Sequence, residues 1–381
     1  MRPSVIASAA VAAFVGFGGT LALIIAAATA LGATQAQTAS WVTALCLALA
    51  VASGFLSWRY RMPIIAAWST PGLALIGASV GFNMQEAVGA FIVTAIALII
   101  TGLIKPVARF VERIPASIAS GMLAGVLSAF VINAAKTLSL DPLLVLPLIA
   151  LFLIIRLYNP ALAVISVLIG GVIFALALGR ADNLPTPELS TLALIMPKFT
   201  VQAMVGLALP LYLVTMASQN LPGFAVLRAA GYEPPTAACL KMTGLMSLLT
   251  APFGASTSNM AAISAAICTG PDVHPDPKQR WLTGPFYAFF YVIFAIFGAS
   301  LVAVFAVLPP ALIMLIAGLG LIGPFINALS LALKKEDERF AAIITYAVTA
   351  SGIVILGIGS AFWALIAGLV VAGLEYFSKK R

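Results

Sequence analysis

The chain is built from long apolar runs that are separated by short polar breaks. Two of the longest runs, Ala87 to Ile104 and Trp281 to Val307, contain no charged residue. About 20 residues at 1.5 Å each cross the hydrocarbon of a bilayer, so these runs predict membrane-spanning helices. The apolar residues do not alternate with polar ones, as they do in a transmembrane β-barrel. Because backbone polar groups must be paired inside lipid, such runs favour helices.

Short stretches that contain charged residues, Pro or Gly divide the chain into about fourteen apolar segments. The predicted cores are 5–31, 37–57, 63–79, 86–104, 116–135, 142–157, 160–179, 199–221, 236–252, 255–270, 282–306, 309–332, 340–357 and 359–377. The first is longer than the apolar part of a signal peptide, so it is interpreted as a membrane helix. The third and tenth are short and interrupted by polar residues, Pro or Gly. We therefore predict an all-α polytopic membrane protein with about fourteen transmembrane helices, in which helices 3 and 10 are broken.

The amino-acid composition excludes a soluble globular protein, and the charges and motifs do not indicate nucleic-acid binding, metal binding or catalysis. Of 381 residues 62% are hydrophobic and 8% are charged, compared with about 25% charged in a soluble domain. The net charge of +8 is spread over many loops, which does not indicate nucleic-acid binding. Cys46, Cys239 and Cys268 lack the spacing of a disulfide or metal framework. No catalytic motif is present, so we expect a protein that is not an enzyme and needs no cofactor or metal.

The basic residues indicate an orientation. If the N-terminus is cytoplasmic, 17 of the 20 Lys and Arg residues fall on the cytoplasmic side, and only Lys136, Arg180 and Lys198 fall outside. Cytoplasmic loops of membrane proteins carry this excess. One missed or extra helix would destroy the alternation, so it supports fourteen helices. We expect a multi-pass protein of a bacterial inner membrane with both termini in the cytoplasm.

A weak internal repeat divides the chain into two halves. The sequence IPASIASGMLAG at 114–125 resembles LPPALIMLIAG at 308–318. Seven helices in each half is an odd number, so the second half must be inverted. We predict repeats at 1–190 and 191–381. Inverted repeats with interrupted helices at matching positions are typical of secondary transporters, whose binding site lies at the interruptions.

The first interruption is AWSTPG, residues 67–72. Pro71 and Gly72 favour a half-helix that starts near Pro71 in the middle of the membrane. Its free N–H groups and its dipole would attract an anion. The alternative is a proline kink satisfied by neighbouring helices. The candidate binding residues are Trp68, Ser69, Thr70 and Gly72.

The second interruption is PFGASTSN, residues 252–259, and it predicts a second half-helix start with free amides. Its candidate binding residues are Ser256, Thr257, Ser258 and Asn259. The alternative for each hydroxyl is a bond to its own helix. A third polar group, Gln219 and Asn220, ends the eighth segment. These amides can donate to a carboxylate or a water, although buried amides also join helices.

The sequence contains no evident proton carrier. No acidic residue, Lys or Arg lies in the middle of a predicted span, and His274 falls in a charged loop. Glu86, at the outer start of the fourth helix, is a candidate proton acceptor. A carboxylate at that position is commonly only a partner of the helix dipole.

Several longer motifs resemble the benzoate:proton symporter (BenE) family across essentially the whole chain. They are AAWSTPG (66–72), EAVGAFIVT (86–94), LPLYLVTMASQNLPG (209–223), AAISAAIC (261–268), HPDPKQRW (274–281) and GIGSAFWALIAG (357–368). This family is similar in architecture to the nucleobase–ascorbate and sulfate transporters. The resemblance implies a core of helices 1–4 and 8–11 and a gate of helices 5–7 and 12–14. It also implies that helices 3 and 10 are each a strand plus a half-helix with substrate between them.

The resemblance also implies a function. We expect uptake of benzoate or a similar aromatic carboxylate together with protons, by movement of the core against the gate. Gln219 and Asn220 lie where nucleobase relatives place a carboxylate, and an amide there would not repel an anionic substrate. Candidate walls for the ring are Trp68, Phe14 and Phe17. Relatives often dimerise through the gate, which makes a homodimer a further expectation. The alternatives are another small organic anion, an exporter, an anion channel, or a scaffold without transport.

Overall fold

The structure, a computed structural model, describes residues 2–18, 20–104, 115–180, 185–356 and 358–379. The helices of the first half are α1 (Pro3–Gly18), α2 (Leu21–Ala30), α3 (Gln35–Tyr60), α4 (Thr70–Ala78), α5 (Met84–Leu103), α6 (Ala116–Leu140), α7 (Pro142–Tyr158) and α8 (Pro160–Ala177). Those of the second half are α9 (Val201–Ala229), α10 (Thr236–Thr250), α11 (Ile263–Thr269), α12 (Thr283–Ile296), α13 (Gly298–Ala306), α14 (Pro310–Ala332), α15 (Arg339–Ala350) and α16 (Ser360–Lys379). Five basic residues used for the orientation lie outside the described residues: Lys105, Arg109, Arg113, Lys380 and Arg381.

The helices confirm a membrane protein. Among the described residues, six helices are long and apolar enough to cross a bilayer: Pro3–Ala30, α3, α5, α6, α9 and α14. A seventh results if Pro277–Ile296 and Gly298–Ala306, which meet at a 56° bend, form one span. Three apolar helical stretches are shorter: Pro142–Tyr158, Leu162–Ala177 and Ser360–Glu375. Helices α4 and α11 have nine and seven residues. The count of fourteen spans remains a prediction.

Two short strands lie where the sequence is interrupted. Strand β1 (Ala66–Trp68) precedes α4, and strand β2 (Ser258–Met260) precedes α11. The strands pair antiparallel, with Ala67 opposite Asn259. Each half therefore contributes one strand and one short helix to the same place in the fold.

Helices of both halves pack together in two groups. In the first group α3 packs on α12, and α5 packs on α10. In the second group α6 packs on α14 and α15, and α15 packs on α16. An extended segment, residues 185–200, connects the halves and binds to the first group of helices through Ser190 N–H to Ile296 O, Ile195 N–H to Pro252 O, and Lys198 N–H to Gln85 O.

Two predicted helix boundaries were wrong near the C-terminus. The apolar segment 340–357 is helical only to Ala350 and continues as strand β3 (Val354–Ile355), which pairs with β4 (Ile358–Gly359). Leu356 adopts a left-handed φ of 55° in the turn between the strands. The segment 282–306 is interrupted at Phe297. Apolar composition did not reveal either break, although Gly352 and Gly359 near the first and Gly298 at the second are poor helix formers.

Close packing of α14 on α6 gives a test of the fold. A Cβ on Gly318 would lie 2.3 Å from Ala134 Cβ and 2.5 Å from Phe130 O. We expect Gly318→Ala to lower the melting temperature of the purified protein by several degrees. Overpacking costs about 1–3 kcal/mol, which outweighs the roughly 1 kcal/mol that alanine adds to a helix.

The control is Gly373→Ala on α16. No described atom outside the neighbouring residues lies within 4 Å of a Cβ at Gly373, so this variant should melt at the wild-type temperature or above it. Equal losses in both variants, measured by thermal denaturation in detergent, would contradict the packing of α6 on α14.

Candidate functional site

The two sequence interruptions meet at the strand pair. Besides the ladder itself, the Ser69 N–H donates to Thr257 O at 3.4 Å and the Ala261 N–H donates to Ile65 O at 2.9 Å. An extended segment inside a membrane protein needs partners for its backbone, since lipid offers none. Each interruption thus provides the hydrogen-bond partners of the other.

Helix α4 begins beside Pro71, as the sequence predicted. The Gly72 N–H donates to the Ser69 hydroxyl at 3.1 Å, and the Leu73 N–H donates to Ser69 O at 2.7 Å. Serine is a favoured N-cap and proline is favoured in the first turn. Ser69 thus already satisfies two N–H groups that were expected to be free. A ligand at this helix end would meet the Ser69 side chain as well as backbone.

Three hydroxyl groups meet in a buried cluster, here called the hydroxyl junction: Ser69, Thr215 and Thr257. The Thr215 hydroxyl lies 3.3 Å from Ser69 Oγ and 3.1 Å from Thr257 Oγ1. All three side chains are at most 1% exposed. The junction connects α9 to both interruptions.

Three side-chain amides form a second group, here called the amide cluster: Gln219, Asn220 and Asn259. Asn220 Oδ1 accepts the Met260 N–H at 2.9 Å, which fixes α9 to β2. Asn259 Nδ2 donates to Met260 O at 3.0 Å and lies 3.5 Å from Gln219 Oε1. Asn220 and Asn259 are fully buried, whereas Gln219 is half-buried. Gln219 therefore faces the accessible side of the cluster.

A π-helical turn places these amides. Residues Met216–Asn220 form a π-turn in α9, shortly before Pro222. Proline has no N–H and cannot continue the α-helical ladder of the preceding turn. A π-turn, which is frequent at functional sites, absorbs this defect. In this geometry the neighbouring Gln219 and Asn220 both reach β2.

Two other candidates from the second interruption have different surroundings. Ser258 Oγ donates to Thr243 O at 2.9 Å and lies 3.1 Å from Ser247 Oγ, so it ties β2 to α10. Ser256 Oγ is buried and has no hydrogen-bond partner among the described residues. The predicted helix start within 252–259 was wrong. These residues form a 3₁₀ turn, an irregular stretch and part of β2, and α11 begins only at Ile263.

The predicted aromatic walls belong to an aromatic cluster of the helix packing. Trp68 Nε1 donates to Gly16 O at 3.2 Å, and its ring lies 5.4 Å from that of Phe17. Phe17 also lies 4.5 Å from Phe294 on α12. Phe14 packs at the rim of this cluster and is 51% exposed.

Glu86 takes part in a helix cap and an ion pair. Its side chain and that of Asn83 form a reciprocal cap at the start of α5, and Glu86 Oε1 lies 3.3 Å from Lys198 Nζ. Both arrangements hold the carboxylate at the end of the helix. This surrounding favours the role of a helix cap over that of a proton acceptor.

A cavity of about 200 Å³ lies between α4, α6, the start of α9 and the β3–β4 hairpin. The residues that line it have mostly small side chains and include Ser79, Gly125, Gly206, Thr349 and Ser360. The hydroxyl groups of Ser79, Thr349 and Ser360 each donate to a backbone carbonyl. The cavity is thus a largely apolar space between α4 and the helices packed around α6.

The hydroxyl junction gives a second test. We expect Thr215→Val to reduce substrate uptake by roughly tenfold or more, because two hydrogen bonds of about 1 kcal/mol each are lost and 1.4 kcal/mol is a factor of ten. Thr243→Val is the control, since that buried hydroxyl bonds only carbonyls of its own helix. Equal initial uptake rates for the two variants in vesicles with matched protein content would contradict a role for the junction.

The amino-acid sequence matches the BenE family, described as benzoate membrane transport protein, over residues 1–374. The chain belongs to the BenE family. A relative named inner membrane protein YdcO, from Escherichia coli, is 40% identical over 370 residues, covering 96% of this chain and 94% of that protein. The benzoate membrane transport protein of Acinetobacter baylyi is 33% identical over 368 residues, covering 96% and 92%. The BenE chain is a membrane transporter and not an enzyme.

Solved structures share the fold of this BenE protein. The transmembrane domain of a cyanobacterial bicarbonate transporter, BicA, superposes with a TM-score of 0.67 at 16% identity, covering 96% of this chain and 97% of that one. SLC26A9 superposes with a TM-score of 0.60 at 12% identity, covering 98% of this chain and 66% of that one. At these identities the likeness shows a common fold.

Sequence reasoning missed Thr215, the centre of the hydroxyl junction. A signal was present, because Thr215 precedes Gln219 by four residues and i and i+4 share a helix face. Its place inside the apolar run LALPLYLVTMA concealed it. In this BenE protein the junction and the amide cluster together bring most of the predicted polar residues to one region.

Proposed function

We propose that this BenE protein is a secondary transporter that takes up benzoate or a similar aromatic carboxylate with protons across the bacterial inner membrane. Its fourteen spans form a 7+7 inverted repeat, with residues 1–190 and 191–381 as the two repeats and both termini in the cytoplasm. The family assignment supports the substrate class, and the basic-residue alternation supports the orientation.

The single observation that carries the site is the convergence of α9 with both interruptions. Ser69, Thr215 and Thr257 meet there, and Gln219, Asn220 and Asn259 meet beside them. Amides and hydroxyls suit a carboxyl group, because they can both donate to it and accept from it. We assign the substrate to the space in front of Gln219 and Thr70, the two half-buried members of the predicted set. Trp68, Gly72, Ser256 and Ser258 shape the surrounding backbone.

The two packed groups of helices are the moving parts in this proposal. The core contains α1–α5 and α9–α13, and the gate contains α6–α8 and α14–α16. Helix α4 carries Ser69 and packs directly on α6. Movement of the core against α6 would therefore expose the substrate region to one side of the membrane and then to the other, as alternating access requires.

The test is uptake of radiolabelled benzoate by proteoliposomes, with protein-free liposomes as the control. We expect uptake above the control that increases with an inward proton gradient and stops when the gradient is dissipated. No uptake above the control, with or without the gradient, would overturn the substrate assignment. Competition by unlabelled small anions would reveal a carrier of another organic anion. Current that is not tied to proton flux would reveal an anion channel.

A further inference from the structure

We propose that the species carried is the undissociated aromatic carboxylic acid, so that the coupled proton travels on the substrate and not on a protein side chain. This inference rests on the proposed function and specifies the protonation state of its substrate. The acid binds in front of Gln219, on the accessible side of the amide cluster, with its carboxyl group directed at Asn259. The acid O–H donates to Asn259 Oδ1, and the acid carbonyl accepts from Gln219 Nε2.

The first observation is an unsatisfied acceptor. Asn259 is fully buried, and its Oδ1 has no hydrogen-bond partner in the part of the chain that the structure describes. The assignment of this oxygen is fixed by its neighbour, because Met260 O can only accept and therefore lies against Nδ2, at 3.0 Å. A buried acceptor without a donor costs about 1–3 kcal/mol. A bare carboxylate has no proton to donate, whereas a carboxylic acid has one.

The second observation concerns the titratable groups around the cluster. Strand β2 packs against β1, α3, α9 and α10, α11 follows it in the chain, and α6 packs on the π-turn that carries Gln219. The titratable side chains on these elements are Cys46, Arg59, Tyr60, Lys136, Tyr212, Arg228, Cys239, Lys241 and Cys268. None is a carboxylate or a histidine. Arg59, Lys136, Arg228 and Lys241 are exposed, and the Tyr212 hydroxyl bonds Thr101.

Two carboxylates lie on helices that pack on the turns of α9 before Met216. Glu86 on α5 caps its own helix and pairs with Lys198, and Glu375 lies near the end of α16.

Burial determines which form of the substrate is favoured. Transfer of an unpaired carboxylate from water into a site of low dielectric penalises the charged form and raises the pKa of the carboxyl group. The cations on the surrounding elements do not offset this penalty, because they lie at exposed positions. A substrate in this cluster therefore takes up one proton from the water on the side of entry. It loses that proton in the water on the side of release, so one proton crosses with each substrate.

The experiment measures uptake of ring-substituted benzoic acids that differ in aqueous pKa, by proteoliposomes and across a range of external pH. Uptake by protein-free liposomes is subtracted, since undissociated acids also cross lipid. We expect the midpoint of each pH profile to shift by the full difference between the aqueous pKa values of the acids. Midpoints that coincide for all the acids would overturn the inference, because they would report a protein group.

A second measurement uses competitors with fixed charge. Benzamide is neutral and carries both a donor and an acceptor, whereas benzenesulfonate is a permanent anion. We expect benzamide to inhibit uptake of benzoate and benzenesulfonate at equal concentration to have no effect. Inhibition by benzenesulfonate alone would show that the site selects an anion. Absence of any benzoate uptake above the liposome control would instead overturn the proposed function.

Discussion

Replacement of Asn220 by leucine is expected to abolish substrate uptake. The Asn220 side chain is fully buried, and its Oδ1 is the acceptor for the Met260 N–H at 2.9 Å. Leucine has a similar volume but leaves this N–H unsatisfied, at a cost of up to about 3 kcal/mol. A loss of that size in the transport-competent state corresponds to roughly 100-fold. The measurement is the initial rate of uptake in proteoliposomes at matched protein content.

Asn327→Leu provides the matched control, since Asn327 is an exposed amide on α14. It should leave uptake and melting temperature close to those of the wild type. If Asn220→Leu folds poorly, its melting temperature tests the same lost hydrogen bond. We expect this temperature to be lower than that of Asn327→Leu. Wild-type uptake and stability in Asn220→Leu would exclude the link between α9 and β2.

Gly72→Val is expected to reduce substrate uptake by a similar factor, through overpacking and not through a lost hydrogen bond. A Cβ at this position would lie 2.7 Å from both Leu211 Cδ1 and Ser69 Oγ. The larger side chain must push α4 away from α9 or displace the Ser69 cap, and overpacking of this kind costs about 1–3 kcal/mol. Because the displaced groups belong to the hydroxyl junction, we expect uptake to fall by about 100-fold. Gly72→Ala should give an intermediate loss.

Gly270→Val is the control for this substitution. Gly270 follows α11, and no described atom lies within 4 Å of a Cβ placed there. Uptake and detergent-extracted yield should match those of the wild type. A Gly72→Val protein that transports normally would mean that the contact between α4 and α9 is not required for transport.

The sequence predicted the structure correctly where a local pattern of residues fits only one backbone conformation. Helix α4 begins beside Pro71 because proline in a first turn and serine before it define a helix start within a few residues. Family motifs that span the chain correctly indicated a membrane transporter of the BenE family.

The features that the sequence did not predict depend on contacts between residues that are far apart in the chain. From its own residues the second interruption was predicted to start a helix, but these residues pair with β1 as a strand. Only the family resemblance implied a strand there, because no local feature of that segment encodes a partner in the other half of the chain. The hydrogen bond from Trp68 to Gly16 O likewise joins residues that are distant in the chain. The π-turn at Met216–Asn220 brings the neighbouring Gln219 and Asn220 both to β2, which a regular helix pattern does not predict.

The pairing of β1 with β2 has a consequence for biogenesis. During synthesis Ala66 leaves the ribosome long before its partner Met260, with the rest of the first half and the start of the second between them. In that interval the N–H and C=O groups of β1 have no strand to bind, and lipid cannot replace it. The nascent first half therefore cannot complete its fold at the insertion site, and must wait for the second. Expressed alone, residues 1–190 should be degraded, and co-expression with residues 191–381 should protect them.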